Sequence, residues 1–368
     1  QARGRRQVIA VICEGMVMAE QESATQRVVM ADDPATPIAV EVTRGGMVES
    51  VHRVAAAVVD RHGGARLTWG DGTRPIFPRS AIKPRQAVTV IESGAADAFD
   101  LSADEIALSC ASHRGEPMHV TRVAAWLERL GLTLEALECG PQMPGHAASA
   151  RALIKAGEAP TPAHNNCSGK HAGMLTTACH LNEPVAGYSA ADHPVQTRLI
   201  VLIGALGGVD LSYTARGIDG CGIPVFGMPL AAVARAMANL ADPADLSAPQ
   251  QAAAKRILAA CAAHPLMLAG TDTFNSTVLA ETGPRALIKG GAEGVYTAAL
   301  PELGLGVCVK ADDGAGRAAS VAMGAILQHL GVLDAAAADR LAAYLNPQLT
   351  NWAGRFIGQI RPRGDLAF

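Results

Sequence analysis

Aromatic side chains make up only 4% of this 368-residue chain, and charged ones only 18%. The net charge of −3 provides no basic field to hold a nucleic-acid backbone or an anionic membrane surface, so neither partner is expected. No stretch approaches the roughly 18 consecutive apolar residues of a spanning helix, so no membrane segment is expected either. Eight cysteines are too few for a disulfide scaffold at this length. They read as free thiols in a reducing compartment, which makes a cytoplasmic location the expectation. Dinucleotide-binding and P-loop glycine patterns, internal repeats and low-complexity linkers are all missing, so the chain reads as one continuous unit. The scarcity of aromatics beside abundant Ala and Gly is a coding bias rather than a functional signal.

The N-terminal end reads separately. An apolar stretch at 8–13 follows Arg3 and Arg6 but is cut short by Glu14 and Gly15, unlike a signal peptide. An ordinary start follows at Met30-Ala31-Asp32. Residues 1–29 are therefore expected to be an extension without fixed structure, and residues 30–368 a single domain.

Within that domain, Ile38, Val40 and Val42 alternate up to Gly45-Gly46, and a second alternating pair of segments flanks Gly63-Gly64, which predicts two antiparallel hairpins. Pro75 and Pro78 then hold the backbone extended up to Ser80, which is placed to open a helix. Ser102 and Glu105 form a capping-box pair ahead of a short helix. Val120, Val123, Leu127 and Leu130 mark one face of another, closed by Gly131. Further helices are predicted at 194–204, 229–241, 248–263, 314–330 and 334–346, with a strand ending at Lys289 and a hairpin over 295–310. Strands at both ends with helices between them favour a mixed α/β fold whose antiparallel sheet is completed by both chain ends.

The most chemically loaded stretch is 164–173, with His164, Cys167, Ser168, Lys170 and His171 in one short run. Its polarity, with Gly169 and Gly173 interrupting any regular element, reads as a functional loop. A second polar knot surrounds Asp219 and Cys221 among three glycines. Cys167 and Cys221, with one of Lys170, His171 or Asp219, would make a zinc site with an open position; the rival is a nucleophilic Cys167 with His171 as its base. Elsewhere, Ser80-x-x-Lys83 sets a hydroxyl and an amine one helical turn apart, so that a desolvated lysine could take the serine's proton. Ser112 and, much later, Lys289-Gly290-Gly291 supply a second hydroxyl–amine pair, in the order seen in serine β-lactamases. Arg79 is placed to clamp a substrate carboxylate.

Five motifs in order carry a resemblance: Pro78-Arg79-Ser80-Ala81-Ile82-Lys83-Pro84, Cys110-Ala111-Ser112-His113, Asn166-Cys167-Ser168-Gly169-Lys170-His171, Gly217-Ile218-Asp219-Gly220-Cys221-Gly222 and Lys289-Gly290-Gly291-Ala292-Glu293-Gly294. Together they resemble the class 3, Rhizobium etli-type, inducible thermolabile L-asparaginases of the asparaginase II family. The resemblance implies a fold similar to serine β-lactamases and serine-dependent glutaminases, a homodimer, and hydrolysis of L-asparagine to L-aspartate and ammonia. It implies Ser–Lys tandems at Ser80 with Lys83 and at Ser112 with Lys289, substrate contacts at Arg79, His171 and Asp219, and zinc at Cys167, Lys170 and Cys221. Residues 1–29 have no counterpart in it. Two alternatives stay open: a hydrolase of glutamine or another small amide on the same scaffold, and a non-enzymatic binding module stapled by zinc.

Overall fold

The computed structural model describes residues 36–364, so the expected extension at 1–29 lies outside the described residues. Twelve strands are described. They are β1 (Ile38–Arg44), β2 (Met47–Asp60), β3 (Ala65–Trp69), β4 (Pro75–Ile76), β5 (Arg216–Ile218), β6 (Pro224–Phe226), β7 (Met228–Pro229), β8 (Leu287–Gly291), β9 (Val295–Leu300), β10 (Leu305–Ala311), β11 (Gln348–Thr350) and β12 (Phe356–Pro362). Eight of them form one sheet in the order β11-β12-β1-β2-β10-β9-β8, with β3 also paired to β2. Every pairing is antiparallel, and β1 lies against β12 with Val40 opposite Pro362 and Val42 opposite Ile360. Both chain ends thus complete the sheet, as the order of elements predicts.

The long strand β2 shows how the layers are divided. Successive side chains of a strand point to opposite faces. Val54, Ala56 and Val58 accordingly enter the larger hydrophobic core, while Ala55, Ala57 and Val59 enter a second, smaller one. The smaller core is closed by the alanine-rich helix Leu230–Ala241. That helix lies so close to β10 that a Cβ at Gly306 would collide with the Ala234 carbonyl. Small residues on both partners are what permit the approach. The larger core carries the helices Ala103–Ser109, Pro117–Arg129, Ser168–His180, Ala248–Ala263 and Gly316–His329. The predicted capping box is present, with Glu105 accepting from the Ser102 amide at 3.0 Å and also holding Arg129 through two bonds of 2.8 and 2.9 Å. Among the described residues no helix is long and apolar enough to cross a membrane.

Two local expectations are corrected. The expected loop at 164–173 is helical from Ser168 onward, inside the helix Ser168–His180. Its glycines are packing residues rather than breakers: a Cβ at Gly169 would collide with Leu108, and one at Gly173 would stand 3.4 Å from Ser109 Cβ. Ser80 does not open a helix. It sits within the 3-10 turn Arg79–Ile82, which follows Pro78 and leads into the short helix Lys83–Gln86.

Candidate active site

The 3-10 turn that carries Ser80 is seated on the end of β8. A Cβ at Gly291 would stand 2.9 Å from the Pro78 carbonyl and 3.0 Å from the Ala81 amide, so glycine there is what lets the turn settle. Thr297 on β9 fixes it from the other side, donating to the Ala81 carbonyl at 2.8 Å. Arg79 enters the turn at φ +50°, a left-handed conformation that costs a non-glycine residue about 1–2 kcal/mol. Its guanidinium is held by Asp219, with Nε and Nη2 at 2.9 and 2.8 Å from Oδ1.

Lys83 joins the two halves of the site. Its buried Nζ donates to Ser112 Oγ at 2.9 Å, to the Ala111 carbonyl at 2.6 Å and to Cys167 Sγ at 3.1 Å. On the far side of Ser112, Lys289 Nζ donates to the same Oγ at 2.8 Å and to the Gly290 carbonyl at 2.7 Å. Ser112 therefore lies between two amines. Burial, reinforced by the positive charge of Lys83, pushes Lys289 well below the ordinary lysine range. Ser112 itself is anchored through its amide, which donates to the Leu268 carbonyl at 3.1 Å.

The thiol half is built from one helix and one turn. Cys167 starts the helix Ser168–His180, and Lys170 follows one turn later on the same face. Cys221 is presented by the tight turn between β5 and β6, which the Gly222 amide closes on the Asp219 carbonyl at 2.9 Å. Gly222, at φ +90°, supplies the left-handed backbone that this turn requires. Lys170 Nζ donates to Cys221 Sγ at 2.9 Å. A hydrogen bond from Cys221, followed by the charges of Lys170 and Lys83, pushes Cys167 well below the ordinary thiol range despite its burial. Cys221 is pushed up, as the donor to Cys167 and by burial. Burial opposes the charge of Lys170, but Cys167, Cys221 and Asp219 outweigh it and hold the ammonium form.

A narrow cavity of about 30 Å³ opens beside this network, lined on its polar side by Arg79, Ser80, Lys83, Lys170 and Asp219. Half-buried Ser80 faces it, and among the described residues no hydrogen bond joins Ser80 to Lys83. Ser112, Lys289, Cys167, Cys221 and Lys170 thus join Lys83 in one network, while Ser80, Arg79 and Asp219 meet Lys83 and Lys170 at the cavity wall. His171 stands apart. It is fully buried, with Nδ1 2.6 Å from the Tyr188 hydroxyl and, among the described residues, no partner for Nε2, and it does not line the cavity. Burial, with Lys170 and Lys83, pushes its ring well below the ordinary histidine range.

Two residues without a predicted role also lie at the site. Gln86 lies on the cavity wall, three residues beyond Lys83 as Lys83 is three beyond Ser80, a periodicity visible in the sequence. Asn166 accepts from Cys167 Sγ at 3.1 Å. Among the described residues, no group of three or more His, Cys, Asp or Glu side chains is arranged to hold a metal. A metal at this site would need Lys170 as its third donor.

No curated protein matches the chain. Among solved structures, a β-lactamase from Mycobacterium bovis is 14% identical, with a TM-score of 0.39 over 75% of this chain and 94% of its own. A D-alanine carboxypeptidase from Burkholderia cenocepacia is also 14% identical, with a TM-score of 0.32 over 74% of this chain and 93% of its own. Superpositions this loose carry no weight for fold or activity. The family model described as L-asparaginase II matches residues 40–362, from the third residue of β1 through the end of β12, and contains every residue of the site. The chain belongs to the L-asparaginase II family.

Proposed function

We propose that this chain is an L-asparaginase of the class 3 type, hydrolysing the side-chain amide of L-asparagine to L-aspartate and ammonia through a serine nucleophile. The observation that carries the proposal is the single network in which Lys83 touches Ser112 and Cys167, while Ser80 faces a cavity rimmed by the Arg79–Asp219 pair. Arg79 would take the substrate's α-carboxylate and Asp219 its α-ammonium, which sets the side-chain amide over Ser80. Lys83 first gives up a proton through Ser112 Oγ to Lys289, whose ammonium form burial disfavours, and as a free amine it then takes the Ser80 proton as Oγ attacks the amide carbon. Lys83 hands that proton to the departing nitrogen, and Lys289 returns its own through Ser112, which is bonded to both lysines, as the acyl-enzyme forms. Ammonia leaves, and water cleaves the ester to regenerate Ser80.

The residues at Cys167, Cys221 and Lys170 fit a zinc ion. Two thiols and one amine lie within hydrogen-bonding distance along a buried face, and the Lys170 ammonium is the cation the sulfurs now share. Zinc bound there would supply a fixed positive charge beside the cavity that orients the polar end of the substrate, and Lys170 would ligate it as a neutral amine. The test of the whole reading is the acylated residue. A slowly deacylating asparagine analogue, followed by mass spectrometry of the digested protein, should put the added mass on Ser80. Mass on Ser112 or Cys167 would overturn the assignment.

A further inference from the structure

The cavity beside Ser80 has two chemically opposite sides, and asparagine uses one of them. One side is the Arg79–Asp219 pair with Lys170 and Lys83. Apart from Gln86 and Gln196, the rest is a largely apolar wall that includes Ile82, Leu199, Ile200, Ile203, Phe226 and Met228. Four of these, Ile82, Ile203, Phe226 and Met228, belong to the smaller hydrophobic core, and half-buried Ile200 packs on it. The cavity therefore runs from a charged rim down to the surface of a core. If the rim holds the α-carboxylate and α-ammonium, the aspartyl half of the substrate is accounted for there, and the group beyond the scissile carbonyl points toward the aliphatic wall. In asparagine that group is a bare NH2, which has no apolar atom to set against it. The cavity as a whole, at about 30 Å³, exceeds the ~10–15 Å³ that one water needs. Water gains few hydrogen bonds from an aliphatic wall, whereas an alkyl group gains contact.

We infer that this wall is a leaving-group subsite for a short alkyl substituent on the scissile nitrogen, so that the enzyme also hydrolyses N4-alkyl amides of L-aspartate. This rests on the amidohydrolase reading above and extends it to the nitrogen side of the bond. With N4-ethyl-L-asparagine, Ser80 Oγ forms the bond to the acyl carbon, the C–N bond breaks, and ethylamine departs with the proton delivered through Lys83. Water then cleaves the aspartyl ester, giving L-aspartate and ethylamine with no further reactant.

The experiment follows aspartate release from L-asparagine and from N4-ethyl-L-asparagine, together with their KM values, in the full chain. Burying two carbons predicts a KM for the ethyl amide about tenfold below that for asparagine. Ile200→Phe, which fills the wall from its half-buried edge, should erase that advantage, raising the KM for the ethyl amide by more than that for asparagine. Ile203→Ala, which widens the wall, should preserve it and extend turnover to the N4-propyl amide. Melting curves identify any variant that fails to fold, and either variant alone suffices for the test. If asparagine is turned over while the ethyl amide is neither cleaved nor competitive, the inference falls and the asparaginase reading stands. If the ethyl amide is cleaved and asparagine is not, the subsite stands and the asparaginase reading falls. Equal responses of both substrates to Ile200→Phe would also overturn the subsite.

Discussion

Replacing each of the two serines by alanine separates the nucleophile from the relay, because the structure gives them opposite structural roles. Among the described residues Ser80 Oγ has no hydrogen bond to lose, and Ser80 is only half buried. Ser80→Ala should therefore move unfolding free energy by no more than about 0.5 kcal/mol, the range of substitutions that break no buried contact. Its turnover of asparagine should nevertheless fall by at least about 10⁴-fold, or roughly 5.5 kcal/mol of transition-state stabilisation, as for loss of a covalent nucleophile. Ser112→Ala presents the reverse case. It removes the acceptor shared by Lys83 and Lys289, leaving two buried amines each one partner short. Each such loss costs about 1–3 kcal/mol, reduced here because Lys83 keeps the Ala111 carbonyl and Lys289 the Gly290 carbonyl. A net loss of about 2–3 kcal/mol is expected, with turnover reduced by about 10²–10⁴-fold, as for loss of a proton relay. Urea unfolding and ammonia release, measured on the same samples, give both numbers. Retention of a tenth or more of wild-type turnover by Ser80→Ala would refute the nucleophile assignment, and unchanged stability in Ser112→Ala would refute the shared-acceptor geometry.

Lys289 is held below the ordinary lysine range, so over that interval the unfolded chain binds a proton that the native state lacks, and stability rises with pH by up to about 1.4 kcal/mol per unit. Lys289→Met removes this term, so its stability relative to wild type should decline from pH 7 to pH 9; parallel urea-unfolding curves across that range would contradict it. Gly169→Ala forces a methyl group into Leu108 and should cost about 1–3 kcal/mol, whereas Gly173→Ala, in ordinary contact with Ser109, should stay under about 1 kcal/mol by thermal unfolding. Chelation should raise the KM for asparagine severalfold while shifting the melting temperature little; a collapse of the melting temperature with unchanged KM would favour a zinc-stapled structural module instead.

Much of this architecture is legible from local patterns. The alternation of β1, the Gly45-Gly46 turn and the Ser102–Glu105 capping box each rest on a neighbour a few residues away, so the sequence alone carries them. The helix at Ser168–His180 is not legible in the same way. Its polar side chains are buried by partners distant in sequence, and its glycines answer to Leu108 and Ser109 on another helix. The Ser–Lys spacing points to Ser80 and Lys83, but not to the contacts Lys83 makes with Ser112 and Cys167, which lie far along the chain. The β11–β12 hairpin escapes the periodicity altogether. Trp352 and Phe356 at its turn are exposed, and within β12 only Gly358 and Ile360 are buried, too few to mark an alternation.

The pairing of β1 with β12 also fixes an order of events in time. Glu41 on β1 takes Arg361 at 2.7 Å, and Thr43 donates to the Gln359 carbonyl at 3.3 Å, contacts that span more than three hundred residues of chain. During synthesis from the N-terminus, β1 must wait with one edge unmatched until β12, more than three hundred residues later, has left the ribosome. Lys289 likewise follows Ser112 by 177 residues, so Ser80 and Lys83 exist over that interval without the second amine of their network. A nascent chain is therefore expected to be catalytically silent, and its open β1 edge is the place where a holding chaperone would be needed most.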